Sequence, residues 1–137
     1  MHNLVALDTL LALLLFLWMS IRVGAARSRL GVAAPATTGH PEFERHFRVH
    51  MNTLEGLVIF LPSLWLFAIY VSEPVAAGLG LVWIAGRALY MFDYVKDPKT
   101  RGRGFGVQAV AMMVLLFGAL GWIVWDMVAG LMRTGGN

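Results

Sequence analysis

The chain has 137 residues, 58% hydrophobic and 14% charged, with a mean hydropathy of +0.69, which excludes an ordinary soluble domain and places it in lipid. It has no cysteine, so disulfides and an intrinsic thiol nucleophile are excluded, and any sulfur chemistry must use a thiol brought by a ligand. The pI near 9.8 does not point to nucleic acid, because most Lys and Arg sit at the ends of apolar runs, where the positive-inside rule accounts for them.

A bilayer core of about 30 Å needs roughly 20 mostly apolar residues. The sequence supplies four such stretches, from Leu4 to Val23, Leu54 to Val71, Val75 to Tyr94 and Phe105 to Met132. These predict an all-α membrane protein, a four-transmembrane-helix bundle that occupies residues 1–137 as one domain. The first run lacks a basic leading segment and is followed by Arg22, Arg27 and Arg29 instead of a small-residue cleavage site, so it reads as a retained span and not a signal peptide.

Loop one, Gly31 to His40, is rich in Ala, Pro, Thr and Gly and reads as irregular. Pro41 suits a first helical turn, and Glu42 and Glu44 lie where the helix dipole favours negative charge. Helix two is therefore expected to start near Pro41, roughly 30 residues before Tyr70, about 45 Å of helix that outruns the hydrocarbon core. Ser72-Glu73-Pro74 leaves room only for a tight turn between helices two and three. Arg22, Arg27, Arg29, Arg45 and Arg48 follow the first run, and Lys96, Lys99, Arg101 and Arg103 the third. The charge bias puts loops one and three in the cytoplasm and both termini outside. Short loops fit a bacterial inner membrane.

With about 100° per residue and Glu44 at zero, Glu55, Arg48, Asn52 and Arg45 fall near 20°, 40°, 80° and 100° on helix two. Ionisable groups entering a membrane must pair or face a watery cavity. Two readings stay open: a self-satisfied Glu and Arg network, or a pocket for a zwitterion, with Arg48 facing a carboxylate and Glu55 an ammonium. On helix three, Arg87, Tyr90 and Tyr94 share a face about 60° wide, and Arg87 needs a partner, with Glu55 and Asp93 as candidates. His46 and His50 have metal-compatible i, i+4 spacing, but no third ligand is evident and their face lies about 200° to 240° from Glu44. No metal is expected. The basic turn from Lys96 to Phe105, taken alone, is a topology signal or a headgroup contact.

The string Gly39-His40-Pro41-Glu42-Phe43-Glu44-Arg45-His46-Phe47-Arg48, followed by Asn52 and Glu55, resembles the MAPEG family of membrane-associated proteins in eicosanoid and glutathione metabolism. So do Gly86-Arg87-Ala88-Leu89-Tyr90 through Tyr94 to Arg101, and the closing Gly104-Phe105. The resemblance implies a homotrimer of four-helix subunits with glutathione, the co-substrate, held between neighbours at the cytoplasmic side. It assigns Arg48, Asn52 and Glu55 on helix two, and Tyr90 and Tyr94 on helix three, to glutathione binding, and Arg87 shares their face. Arg101 is similar to the arginine that stabilises the glutathione thiolate. Arg27 is similar to a first-helix arginine that reaches the ligand from the neighbouring subunit. His50 stands where the leukotriene-forming branch often has Gln, and Gly56 where Tyr often follows the helix-two Glu; both depart from a leukotriene-type site.

The expected activity is a membrane glutathione transferase, with peroxidase activity as a companion, acting on lipophilic electrophiles or lipid hydroperoxides from the bilayer. Two other classes remain: a non-enzymatic lipid-binding or partner-activating protein of the same fold, and a small proton-coupled transporter using Glu55. Gly78, Gly80, Gly86, Gly118 and Gly121 are expected to let backbones approach closely.

Overall fold

The computed structural model describes residues 1–134. It contains four helices, α1 (Asn3–Leu30), α2 (Pro41–Tyr70), α3 (Glu73–Lys96) and α4 (Gly102–Thr134), with a short 3-10 turn at Pro98–Thr100 before the last. All four are long and apolar enough to cross a membrane. The membrane windows of α2 and α3 are 44% buried within the subunit and those of α1 and α4 22%, so the α2–α3 hairpin is the centre on which the others pack.

Helix ends follow local chemistry. Gly31 stops α1 with a left-handed φ of 67°, a conformation open to glycine without a Cβ clash. The helix therefore runs two turns past the predicted Val23, since Arg27 and Arg29 are good helix formers that need not lie in hydrocarbon. At the start of α2, the His40 side chain accepts a hydrogen bond from the Glu42 amide and Pro41 occupies the first turn, as expected. At the far end of the bundle, Glu73 accepts from the Leu4 amide at 3.0 Å, and Trp65 Nε1 donates to Thr9 Oγ1 at 3.1 Å. These bonds fix the start of α1 against the α2–α3 turn.

The core is apolar and aromatic. Phe60 and Trp83 stack with ring centroids 4.0 Å apart and planes 4° from parallel, among Leu57, Leu64 and Leu115. Close approaches are made by glycine. A Cβ on Gly104 would overlap the backbone of Tyr90 and the carbonyl oxygen of Gly86, and one on Gly86 would meet the Gln108 amide nitrogen at 2.8 Å. Of the glycines expected at contacts, Gly80, Gly86 and Gly118 serve inside the subunit, whereas Gly78 and Gly121 have nothing within 4 Å. Gly80 makes room for Asp8, a carboxylate 2% exposed that periodicity hid within the first apolar run.

Candidate functional site

The α2–α3 hairpin puts the polar faces of two helices side by side. Asn52 donates from Nδ2 to the Tyr90 hydroxyl at 2.8 Å, and the Tyr90 and Tyr94 rings lie 5.5 Å apart at 34°. The 3-10 turn then carries Arg101 back over this face, its guanidinium carbon 5.9 Å from the Tyr94 ring centre. Asp97 braces that turn by accepting from the Lys99 amide at 3.0 Å. The Thr100 hydroxyl donates to the Asp97 carbonyl at 2.8 Å and the Asp93 carbonyl at 3.1 Å. Gly104 brings α4 onto α3 directly behind Tyr90, so the glycine that closes the sequence motif sets the depth of the site.

Three cavities lie along these helices. One of about 480 Å³ lies at the start of α2 and is lined by Arg48, Tyr94 and the end of loop one. A second, about 260 Å³, is lined by Asn52, Tyr90, Arg101 and Phe105. The third, about 300 Å³, takes Asn52, Glu55, Arg87 and Tyr90 down toward Met112 and Ala109. Asn52 and Tyr90 are common to the second and third, so those two adjoin, and polar side chains including Gln108 continue into the third beside apolar walls.

The two readings of the helix-two face now divide by residue. Glu44 accepts from the Gly39 amide at 3.0 Å, and Arg45 donates to the Lys96 carbonyl at 3.2 Å; both hold loops and helix ends together. Arg48 and Glu55 do not. Among the described residues neither forms an ion pair or a side-chain hydrogen bond, although they carry opposite charges on one face. They are seven residues apart, about 10 Å along the helix axis, comparable to an extended tripeptide at roughly 3.3–3.6 Å per residue.

Arg87 corrects one expectation. Its hydrogen-bond partner is Gln108 on α4, whose Oε1 accepts from Nη2 at 3.0 Å, while Glu55 acts on its charge from the wall of the same cavity; Asp93 faces Arg103 instead at 3.8 Å. Arg87 is 3% exposed and lies between the Trp83 and Tyr90 rings, at 5.4 and 5.1 Å. A guanidinium is weakly hydrated and stacks on aromatic faces, which eases its burial. Gly56 makes this possible, because a Cβ there would meet Arg87 Nη2 at 2.8 Å. A glycine after Glu55 thus gives its space to the arginine. Gln108 was missed from the sequence; the available signal was a solitary amide inside a long apolar run.

Arg27 stands apart. It donates to the Val32 and Ala36 carbonyls at 3.2 and 2.8 Å and covers the Phe43 ring at 4.6 Å, holding loop one, and it lines none of these three cavities. The two histidines also separate: His50 stacks on Phe16 at 4.5 Å, while His46 lines a groove with Arg22 and Arg29.

Residues 5–121 match the MAPEG family, and this span contains every element of the site. The chain belongs to the MAPEG family. It is 49% identical over 122 residues to an uncharacterized protein of Synechocystis, covering 89% of each. It is 41% identical over 105 residues to human microsomal glutathione S-transferase 2, covering 76% of this chain and 71% of the relative. With mouse leukotriene C4 synthase it shares 36% over 132 residues, 96% of this chain and 87% of that one. It is accordingly an integral membrane MAPEG protein, related to glutathione transferases, with four candidate spans.

Proposed function

We propose that this MAPEG protein is a membrane glutathione transferase that stabilises the glutathione thiolate for attack on lipophilic electrophiles, with reduction of lipid hydroperoxides as a second use of the same thiolate. The observation that carries the reading is that Arg48 and Glu55 form no ion pair or side-chain hydrogen bond among the described residues, near a groove in which Arg101, Tyr90 and Asn52 converge. A purely structural network would close its charges on each other, as Glu44 and Arg45 close on the backbone.

In this reading the Arg48 guanidinium takes a carboxylate of the tripeptide by charge-assisted hydrogen bonds. Glu55 takes the ammonium. Asn52 and Tyr90, bonded to each other, form the wall against which the peptide lies. Arg101 faces the sulfur. It favours loss of the thiol proton to solvent; the thiolate then forms a bond to an electrophilic carbon, and the leaving group departs with its electron pair. With a hydroperoxide, the thiolate attacks the outer oxygen, the O–O bond breaks and the alkoxide takes up a proton. The resulting sulfenic acid condenses with a second glutathione, releasing water and leaving the disulfide. No protein base is needed, and the apolar walls toward Met112 admit a substrate from the bilayer.

The wider assignment is a homotrimer of one-domain subunits in a bacterial inner membrane, with loops one and three in the cytoplasm. Glutathione then lies between subunits, and Arg27, held within its own subunit by loop-one carbonyls, turns from them to reach a neighbour's ligand. The test is titration of the detergent-solubilised protein with glutathione, followed by the ultraviolet absorbance of the thiolate near neutral pH. Saturable binding with thiolate absorbance, together with conjugation of a chlorinated nitroaromatic, is the expected result. Binding of lipid with no binding of glutathione would instead favour the non-enzymatic reading.

A further inference from the structure

We propose that the groove between the end of α1 and the start of α2 binds the headgroup phosphate of an anionic phospholipid through Arg22, Arg29 and His46. These side chains and the small residues Ala25 and Ala26 line a cavity of about 260 Å³. Arg22, Ala25, Ala26 and Arg29 follow i, i+3, i+4, i+7 spacing and so share one face of α1. His46 lies about 160° around α2 from Arg48, so the groove is separate from the candidate glutathione site.

His46 is the observation that calls for a ligand. It is 6% exposed, it lines the groove, and it makes no hydrogen bond or ion pair among the described residues. Its ring nitrogens are not sealed from solvent, so an unpaired N–H stays open to the groove that the residue lines. A phosphate oxygen in the groove would accept from it while the arginines supply charge. Arg29 shares its charge with Glu42, so the two arginines and Glu42 leave one net positive charge, matched to a single phosphodiester.

The surroundings select a lipid over a free anion. The groove lies where α1 leaves the apolar run, the level at which headgroup phosphates sit. Directly below, Arg22 covers the Trp18 ring at 5.4 Å and Trp18 meets Phe92 at 5.8 Å. Exposed Leu14, Leu17 and Ile21 continue the apolar surface of α1 and can lie along acyl chains. A zwitterionic headgroup would bring a second cation beside two arginines, and Glu42 is already engaged.

The experiment is native mass spectrometry of the full-length protein in mild detergent. It is titrated with phosphatidylglycerol or with phosphatidylcholine of identical acyl chains, with inorganic phosphate as competitor. Wild type should retain phosphatidylglycerol at least about fivefold more tightly, and Arg22→Gln and His46→Leu should each bring the two lipids to equal affinity with phosphatidylcholine unchanged. Arg22 is exposed, so its substitution leaves packing intact and decides the matter even if the His46 variant fails to fold. Equal affinities in wild type, or a preference that persists in Arg22→Gln, would overturn the proposal. Displacement of the lipid by millimolar inorganic phosphate would also overturn it, making the groove a free-anion site.

Discussion

Replacing Arg101 by alanine removes the cation that stands over Tyr94, 5.9 Å from its ring centre, beside the cavity lined by Asn52 and Tyr90. A thiol with a pKa near 8.5 needs roughly 2.7 kcal/mol of preferential thiolate stabilisation to titrate about 2 units lower. One guanidinium about 4 Å from the sulfur supplies on the order of 4 kcal/mol at an effective dielectric near 20, before desolvation. Arg101 is exposed in the isolated subunit, so water screens part of this, and a shift of about 1 to 2 units is the expected range. At neutral pH a 2-unit shift changes the thiolate fraction by roughly 25-fold. The less stabilised thiolate is also the better nucleophile, with a Brønsted slope of about 0.4–0.5, which returns up to roughly tenfold of that loss. Turnover of Arg101→Ala should therefore fall by about 3- to 25-fold at neutral pH and recover as pH rises, while glutathione affinity changes less. The assay is a pH series of conjugation with a chlorinated nitroaromatic, beside a spectral titration of the bound thiol. A mutant with the wild-type thiol pKa and rate would refute the reasoning and make Arg101 a headgroup or topology charge.

Arg48→Ala and Glu55→Gln should each weaken glutathione binding by about tenfold or more, since each removes one pole of a zwitterion site; calorimetry showing wild-type affinity for both would return them to a structural role. Gln108→Leu should lower thermal stability by about 1–3 kcal/mol or more by stranding the Arg87 guanidinium, whereas Arg87→Met in the same background should recover most of the loss; equal melting of all three proteins would contradict this. Gly104→Ala should shift α4 off α3 and cost about 1–3 kcal/mol or more, read as a lower melting temperature together with weaker glutathione binding through Tyr90. Cross-linking in mild detergent should give three chains, and a monomer that binds glutathione at full strength would remove the shared-site arrangement.

The four spans, the early start of α2 at Pro41 and the tight α2–α3 hairpin were legible in the sequence, because spans depend on local apolar content and helix starts on local capping chemistry. The polar stripe of α2 was legible for the same reason, since its residues share one helix and its geometry is periodic. What a polar side chain meets across helices is not periodic. The sequence offered Glu55 and Asp93 to Arg87; Glu55 does act on its charge, but packing gave the hydrogen bond to Gln108, because Gly86 and Gly104 bring α4 close enough for an amide to reach the guanidinium. Likewise, Glu44 and Arg45 close on the backbone while Arg48 and Glu55 form no ion pair or side-chain hydrogen bond among the described residues, a division made only by tertiary folding. The residue types of the site were determined by the sequence alone. Which of them are consumed by the fold, and which remain for a ligand, was decided by tertiary contact, because a buried or interfacial charge is defined by the neighbours that reach it.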